Sequence, residues 1–189
     1  MYIVISGLVK KYGENIVFDG FDAKIEKNRT TFIMGPSGCG KTTLINILMG
    51  ITTPDGGTIS GVPALKSAVF QEDRLCESFS AISNVRLVCD KKIKNDTIIE
   101  HLKKIGLGDG LTKPVAEFSG GMKRRVAIVR AVLARSEILF LDEPFKGLDT
   151  ETKKTAMEYL KENTKGKTVV IVTHDIEEVK ALEGDLITL

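Results

Sequence analysis

The stretch Gly35-Pro36-Ser37-Gly38-Cys39-Gly40-Lys41-Thr42 concentrates glycines, a lysine and a hydroxyl, and it fits the pattern G-x-x-x-x-G-K-[ST]. It lies between an apolar run, Thr31-Phe32-Ile33-Met34, and a segment whose Leu44, Ile45, Leu48 and Met49 share a helical face. Strand, glycine-rich turn and helix in that order build an anion cradle: the glycines let backbone N–H groups turn inward, and the helix points its positive end at the same place. The chemistry is the binding of a nucleoside polyphosphate. Lys41 would reach the β- and γ-phosphates, the Thr42 hydroxyl would ligate Mg²⁺, and Thr43 would add a contact to an inner phosphate. Cys39 reads as a small loop residue, because nothing near it in the sequence would serve as its base.

A second run, Ile138-Leu139-Phe140-Leu141-Asp142-Glu143-Pro144, delivers two carboxylates at the end of a wholly apolar strand. In an open parallel sheet, that strand end is where ligands bind. Asp142 is placed to hold Mg²⁺, directly or through water, and Glu143 to orient or deprotonate an attacking water.

The elements that must position these groups alternate. Residues 2–6 are rich in β-formers, and Phe21, Ala23 and Ile25 alternate with polar neighbours, so the N-terminal third reads as short strands around the phosphate loop. The segment Thr52–Gly57 reads as a turn, and Ala68-Val69-Phe70 as another strand. Between Gln71 and Ser119 the pattern is helical, with Ile98, Ile99, Leu102 and Ile105 on one face behind a cap at Asn95 or Asp96. After Ser119, helices carrying Met122, Val126, Val129 and Leu133, and then residues 150–163, alternate with the strands Ile138–Leu141 and Thr168–Thr173. A short helix and a last strand, Asp185–Leu189, follow. Alternation of this kind implies parallel strands with helices on both faces.

Composition narrows the rest. The 189 residues suggest one domain, and 27 Lys+Arg against 25 Asp+Glu give a net charge of +2, which offers no footing for nucleic acid as a partner. The longest apolar run, Met1–Ile5, is far below the roughly 20 residues a membrane helix needs, and the opening residues lack the basic flank of a secretory signal. Cys39, Cys76 and Cys89 are odd in number and irregularly spaced, as in an intracellular protein with reduced thiols, and without a CxxC a structural zinc site is not expected. Lys123, Arg124, Arg125, Arg130 and Arg135 read as a solvated basic helix face, and His101 as a helix-surface residue.

A phosphate loop with an acidic strand describes many ATPases and GTPases. The stretch Phe118-Ser119-Gly120-Gly121-Met122-Lys123-Arg124-Arg125, followed by Val126–Ala131, is more specific: it resembles the signature motif of ATP-binding cassette (ABC) ATPases, written L-S-G-G-Q and followed by a basic helix. Gln71 after Val69-Phe70 resembles that family's Q-loop glutamine, Phe145-Lys146-Gly147-Leu148-Asp149 its D-loop, Thr173-His174-Asp175 its switch histidine, and Tyr12 its adenine-stacking aromatic. The motifs stand in the family's order over nearly the whole chain. The resemblance implies an α/β, P-loop NTPase (ABC ATPase) fold with a parallel-sheet core, a small N-terminal antiparallel β portion and a helical insertion. It implies a single domain over 1–189, with a catalytic core at about 1–71 and 119–189 and a helical subdomain at about 72–118. It further implies an ATPase using ATP and Mg²⁺, with Glu143, His174, Lys41 and Gln71 catalytic, Gln71 also sensing the metal, and Ser119 to Met122 acting on the ATP of a partner subunit across a seam that includes Asp149.

The implied protein is the ATP-hydrolysing subunit of a transporter on the cytoplasmic face of the membrane. Its partners would be a second cassette, a separate integral membrane permease and a solute-binding protein, and Gln71-Glu72-Asp73-Arg74-Leu75 with Glu143-Pro144-Phe145 resembles the nitrate- and sulfonate-type importer branch. The alternatives are a non-transport ABC ATPase, such as a cluster-assembly factor, or a degenerate cassette with little turnover. Departures from the pattern bear on the last of these. Met122 replaces Gln and cannot donate amide hydrogen bonds, Phe118 replaces Leu, the span from Lys41 to Gln71 is short with a trimmed β portion, and no regulatory domain is expected after Leu189.

Overall fold

The computed structural model describes residues 1–189. Two sheets form around the strands that the sequence marks as apolar. The larger is five-stranded and parallel, in the order β5 (Lys66–Val69), β6 (Ile138–Asp142), β7 (Thr168–Val172), β3 (Thr30–Met34), β8 (Asp185–Thr188). The smaller is antiparallel, in the order β2 (Asn15–Glu26), β1 (Tyr2–Tyr12), β4 (Gly56–Ser60).

The unbroken apolar runs of the central strands follow from burial on both faces. On β6, Leu139 and Leu141 join one core and Ile138 and Phe140 the other; on β7, Val169 and Ile171 take the first side and Val170 and Val172 the second. The larger core packs that first face against α4 (Gly120–Leu133), α5 (Thr150–Asn163) and the helical segment of α2 (Ala81–Arg86) and α3 (Asn95–Lys104). The second core lies between the other face, α1 (Lys41–Met49) and the antiparallel sheet, whose Ile3, Ile5, Leu8 and Ile25 point into it.

Several expectations are corrected. The N-terminal strands are long rather than short: β1 runs to Tyr12, but a bulge between Ile5 and Leu8 shifts the buried set from Ile3 and Ile5 to Leu8 and Lys10, so the alternation breaks in the sequence while the strand continues. Within the turn-like stretch 52–57, Gly56 already begins β4. Gly57 has φ +83°, and a Cβ there would run into the backbone carbonyl of Gly7, so glycine is what permits the close approach to β1. Helix α3 is capped by neither Asn95 nor Asp96: Lys94 occupies the N-cap without a side-chain bond, and Asn95 Oδ1 instead accepts from Arg86 Nε at 3.1 Å. His101 is no free surface residue, since its Nδ1 lies 2.9 Å from the Tyr159 hydroxyl and the rings meet edge to face, joining α3 to α5.

The basic run is only partly solvated: Arg135 is exposed, but its neighbours on α4 are engaged. Arg124 is buried, and Arg124, Arg125 and Arg130 all donate to backbone carbonyls of neighbouring segments. Sequence reading assigns charge to solvent by default; here the carbonyls that claim it lie elsewhere in the chain.

Candidate active site

The phosphate loop leaves the end of β3 and enters α1. Gly40 occupies the N-cap at φ +103°, and a Cβ there would stand 2.6 Å from Val17 Cγ1 and 2.9 Å from Phe18 Cζ, so glycine lets the loop lie flat on β2. No acidic residue sits in the first turn of α1, and nothing there opposes an anion at its positive end. Lys41 folds back over the loop, its Nζ donating to the carbonyls of Gly35 at 2.8 Å and Pro36 at 2.7 Å. An ammonium held across the cradle by carbonyls is poised to exchange them for phosphate oxygens.

The ends of β6 and β7 face this loop across a cleft of about 410 Å³. Thr42 Oγ1 donates to Asp142 Oδ2 at 2.8 Å, so the two groups implied for Mg²⁺ are already together. Glu143 holds φ +47°, a strained backbone for a non-glycine residue, and its N–H continues the ladder by donating to Val172 O at 2.9 Å. Its Oε1 lies 3.3 Å from His174 Nδ1, and its Oε2 makes an ion pair with Lys146 Nζ at 2.7 Å. The two adjacent carboxyls are pushed apart. Burial raises Asp142 above the usual range, against the hydrogen bond from Thr42. Burial also raises Glu143, but Lys146 and then His174 outweigh it, so Glu143 ends below its ordinary value.

Tyr12, Gly35, Ser37, Gly38 and Gly40 line the cleft, as do Lys41, Thr42, Thr43, Gln71, Asp142, Glu143 and His174. Pro36 and Cys39 do not line it, although both lie within the loop. Tyr12 is half exposed at the rim, with Lys10 Nζ 5.1 Å from its ring centroid. Asn15, Val17 and Val172 also line the cleft without having been marked by any motif. Lys146 was also missed as a partner of Glu143; its spacing three residues on was the available signal.

The signature residues stand apart. Ser119, Gly120, Gly121 and Met122 do not line the cleft. Ser119 caps α4, its Oγ accepting from Met122 N–H at 3.3 Å, and both Ser119 and Gly120 are exposed. Phe118 is buried in the larger core and Met122 packs against it, which accounts for apolar side chains at both departures from the family pattern. Asp149 caps α5 through Thr152 N–H at 2.9 Å. Behind His174, Asp175 Oδ2 and Glu178 Oε1 both pair with Lys153 Nζ at 2.6 Å, which fixes the turn carrying the histidine to α5.

Known proteins share this arrangement. A family model described as "ABC transporter" matches residues 18–146. The chain is 34% identical over 190 residues to the aliphatic sulfonates import ATP-binding protein SsuB 3 of Rhodococcus jostii (strain RHA1), covering 99% of this chain and 70% of that one. It is 34% identical over 208 residues to the bicarbonate transport ATP-binding protein CmpD of Synechococcus elongatus, covering 100% and 75%. With the taurine import ATP-binding protein TauB of Yersinia pestis it shares 34% over 199 residues, covering 98% and 78%. Among solved structures, the dimeric ABC transporter cassette MJ0796 superimposes with a TM-score of 0.86 at 29% identity, over 99% of this chain and 94% of that one. The chain thus belongs to the ABC transporter family as an ATP-binding, ATP-hydrolysing subunit.

Proposed function

We propose that this subunit drives uptake of a small solute bearing an ionised oxyacid group through a separate membrane permease, and that the residues gathered in the cleft hydrolyse the ATP. The observation that carries the site reading is the convergence of Lys41, Thr42, Asp142, Glu143 and His174 in one cleft, from three different strand ends. Lys41 neutralises the outer phosphates in exchange for its two loop carbonyls. Thr42 and Asp142 offer hard oxygen donors of the kind Mg²⁺ takes beside substrate phosphates, and the metal supplies charge neutralisation on the transferring phosphoryl group. Glu143 accepts the proton of the attacking water, and His174 holds that carboxylate and faces the γ-phosphate. Gln71 reaches the same space from the Q-loop, and Tyr12 offers its outer face to adenine.

The signature residues serve a second copy. Ser119, Gly120 and Gly121 open a helix start away from their own chain's phosphate loop, so two chains in head-to-tail contact would each complete the other's site, with Asp149 at the seam. The dimeric state of the MJ0796 cassette supports this. No helix of the chain is long and apolar enough to cross a membrane. In this reading the permease is another chain, this subunit is peripheral to it at the cytoplasmic face, and the helical segment at about 72–118 is its docking lobe. The solute class follows the relatives' names, which specify sulfonates, bicarbonate and taurine, and a solute-binding protein would complete the importer.

The test is Glu143→Gln. We expect ATP affinity near that of the unsubstituted chain, a longer-lived ATP-bound dimer by size-exclusion chromatography, and turnover reduced by at least ~100-fold, as for loss of a general base. Turnover near normal would remove Glu143 from that role. For transport, reconstitution in vesicles with a polytopic membrane protein that co-purifies with this chain should give solute-stimulated hydrolysis. Co-purification with ribosomes or scaffold proteins instead would favour a non-transport ATPase.

A further inference from the structure

We propose that Arg124, supported by Arg130, is a positioning residue that ties the Q-loop to the signature helix, so that Gln71 moves into and out of the ATP site only with α4. The proposal rests on the reading of Gln71 as part of that site.

The sequence offers these arginines as surface charge. The structure gives them one shared target, the segment 70–74. Arg124 Nη1 donates to the carbonyl of Phe70 at 2.6 Å, and Nη2 to the carbonyl of Gln71 itself at 3.0 Å. The same guanidinium pairs with Asp73 Oδ1 at 3.0 Å. One turn and a half further along α4, Arg130 donates to the carbonyls of Asp73 at 2.8 Å and Arg74 at 2.7 Å. Two side chains of one helix therefore hold four carbonyls of five consecutive residues. This is the stretch where the chain leaves β5 for the helical segment, and it has no helix or strand of its own.

The contacts differ in kind from surface pairing. The Arg124 side chain is 6% exposed, and its planar fork is what allows it to donate to two successive carbonyls while its charge lies against the Asp73 carboxylate. A lysine carries the same charge but cannot present that fork. Gln71 also has an exposed side chain lining the cleft, while its backbone is the part that Arg124 grips. Backbone held and side chain free is the arrangement expected of a residue whose position is set by another element. Because α4 begins at Ser119, a displacement of the signature end reaches Gln71 through a rigid helix and one guanidinium.

The experiment is a double-mutant cycle on the full chain: Arg124→Lys, Gln71→Ala and both together. Each is measured for MgATP Kd, kcat and Tm, with Glu143→Gln as the reference for loss of chemistry. Arg124→Lys should bind MgATP within about twofold of the unsubstituted chain and lower kcat about tenfold, the two lost guanidinium bonds being of the charge-assisted kind. The double variant should be no slower than Gln71→Ala alone, because Arg124 acts through Gln71. Arg124→Gln, which leaves Asp73 without its partner, should lower Tm as well and reproduce the same non-additivity. If Glu143→Gln is inactive and the effects of Arg124→Lys and Gln71→Ala multiply, the tie is wrong and the site reading stands. If Glu143→Gln turns over normally, the site reading falls, and the proposal with it.

Discussion

The chain presents two helix starts suited to anions, and they are finished to different degrees. Three helices lack an acidic residue in the first turn; α2 is only six residues long, which leaves α1 and α4, whereas α3 has Asp96, α5 has Glu151 and α6 (Ile176–Leu182) has Glu177 and Glu178. At α1 the fittings are all present. A loop wraps the start, Lys41 bridges two of its carbonyls, and Thr42 rests on Asp142. At α4 there is a serine cap and two glycines, and the one lysine of its first turn, Lys123, is paired with Glu77 at 3.0 Å. Charge compatibility alone does not make a site. Other elements converge on the α1 start, and in the proposed reading the α4 start is completed by a second copy of the chain.

The largest effect expected from breaking this contrast is at the finished end. Lys41→Ala removes the only ammonium over the phosphate loop, and loss of charge-assisted bonds of about 1.5–3 kcal/mol should weaken ATP binding by roughly 10- to 100-fold in calorimetry on dilute protein. The same measurement on Ser119→Ala should show no change in single-chain ATP affinity. A drop comparable to that of Lys41→Ala would mean that both helix starts serve one nucleotide in one chain.

Ser119→Ala should register in other ways. Loss of an N-cap costs about 1 kcal/mol, which in a chain of this length lowers Tm by roughly 2–4 °C in a thermal scan. ATP-driven dimer formation, read by light scattering with the Glu143→Gln background, should weaken further than the stability change explains. A variant that loses stability but dimerises normally would reduce Ser119 to a cap.

Met122 sharpens the comparison at smaller scale. Its backbone N–H meets the cap and its side chain packs against the larger core, so restoring the family's Gln exchanges partial burial for an amide. Steady-state turnover of Met122→Gln should stay within about threefold of the unsubstituted chain, with a Tm lower by no more than the few degrees that about 1 kcal/mol represents. A rise in turnover well beyond threefold would show that the methionine limits closure of this cassette.

What the sequence disclosed follows the same division. Side-chain chemistry that acts locally was legible: the phosphate loop, and Asp142 and Glu143 at a strand end, each depend on residues a few positions apart. The central strands were legible because two-faced burial leaves an unbroken apolar run. Strand β1 was half legible, since the bulge after Ile5 changes the phase of its alternation, and β4 was hidden by its glycines and its exposed residues. Least legible were the charges. Arg124 and Arg130 bind carbonyls more than 50 residues away, and a backbone carbonyl has no letter in a sequence. His101 was misplaced for a related reason, because its partner Tyr159 lies on α5, 58 residues on.

That histidine yields the smallest and most selective prediction. It sits in the helical lobe on the signature side, facing Tyr159 from α5, with Glu100 and Lys104 its charged neighbours on α3. Burial, and then Lys104, hold its pKa below the ordinary value, against a small opposing pull from Glu100. Its charged form is therefore disfavoured in the folded chain relative to the unfolded one. The stability it contributes is complete above the unfolded value near 6.5 and is lost as pH falls through the lower folded value. Acidification below about pH 6.5 should thus loosen the α3–α5 seam, and hydrogen-exchange protection factors, corrected for the intrinsic rate at each pH, should fall there at pH 5.5 before they do in α1. His101→Asn should flatten that pH dependence while leaving the phosphate loop's protection unchanged. Equal loss of protection at the α3–α5 seam and in α1, or a pH slope that survives the substitution, would show that the two regions respond to acid as a single unit.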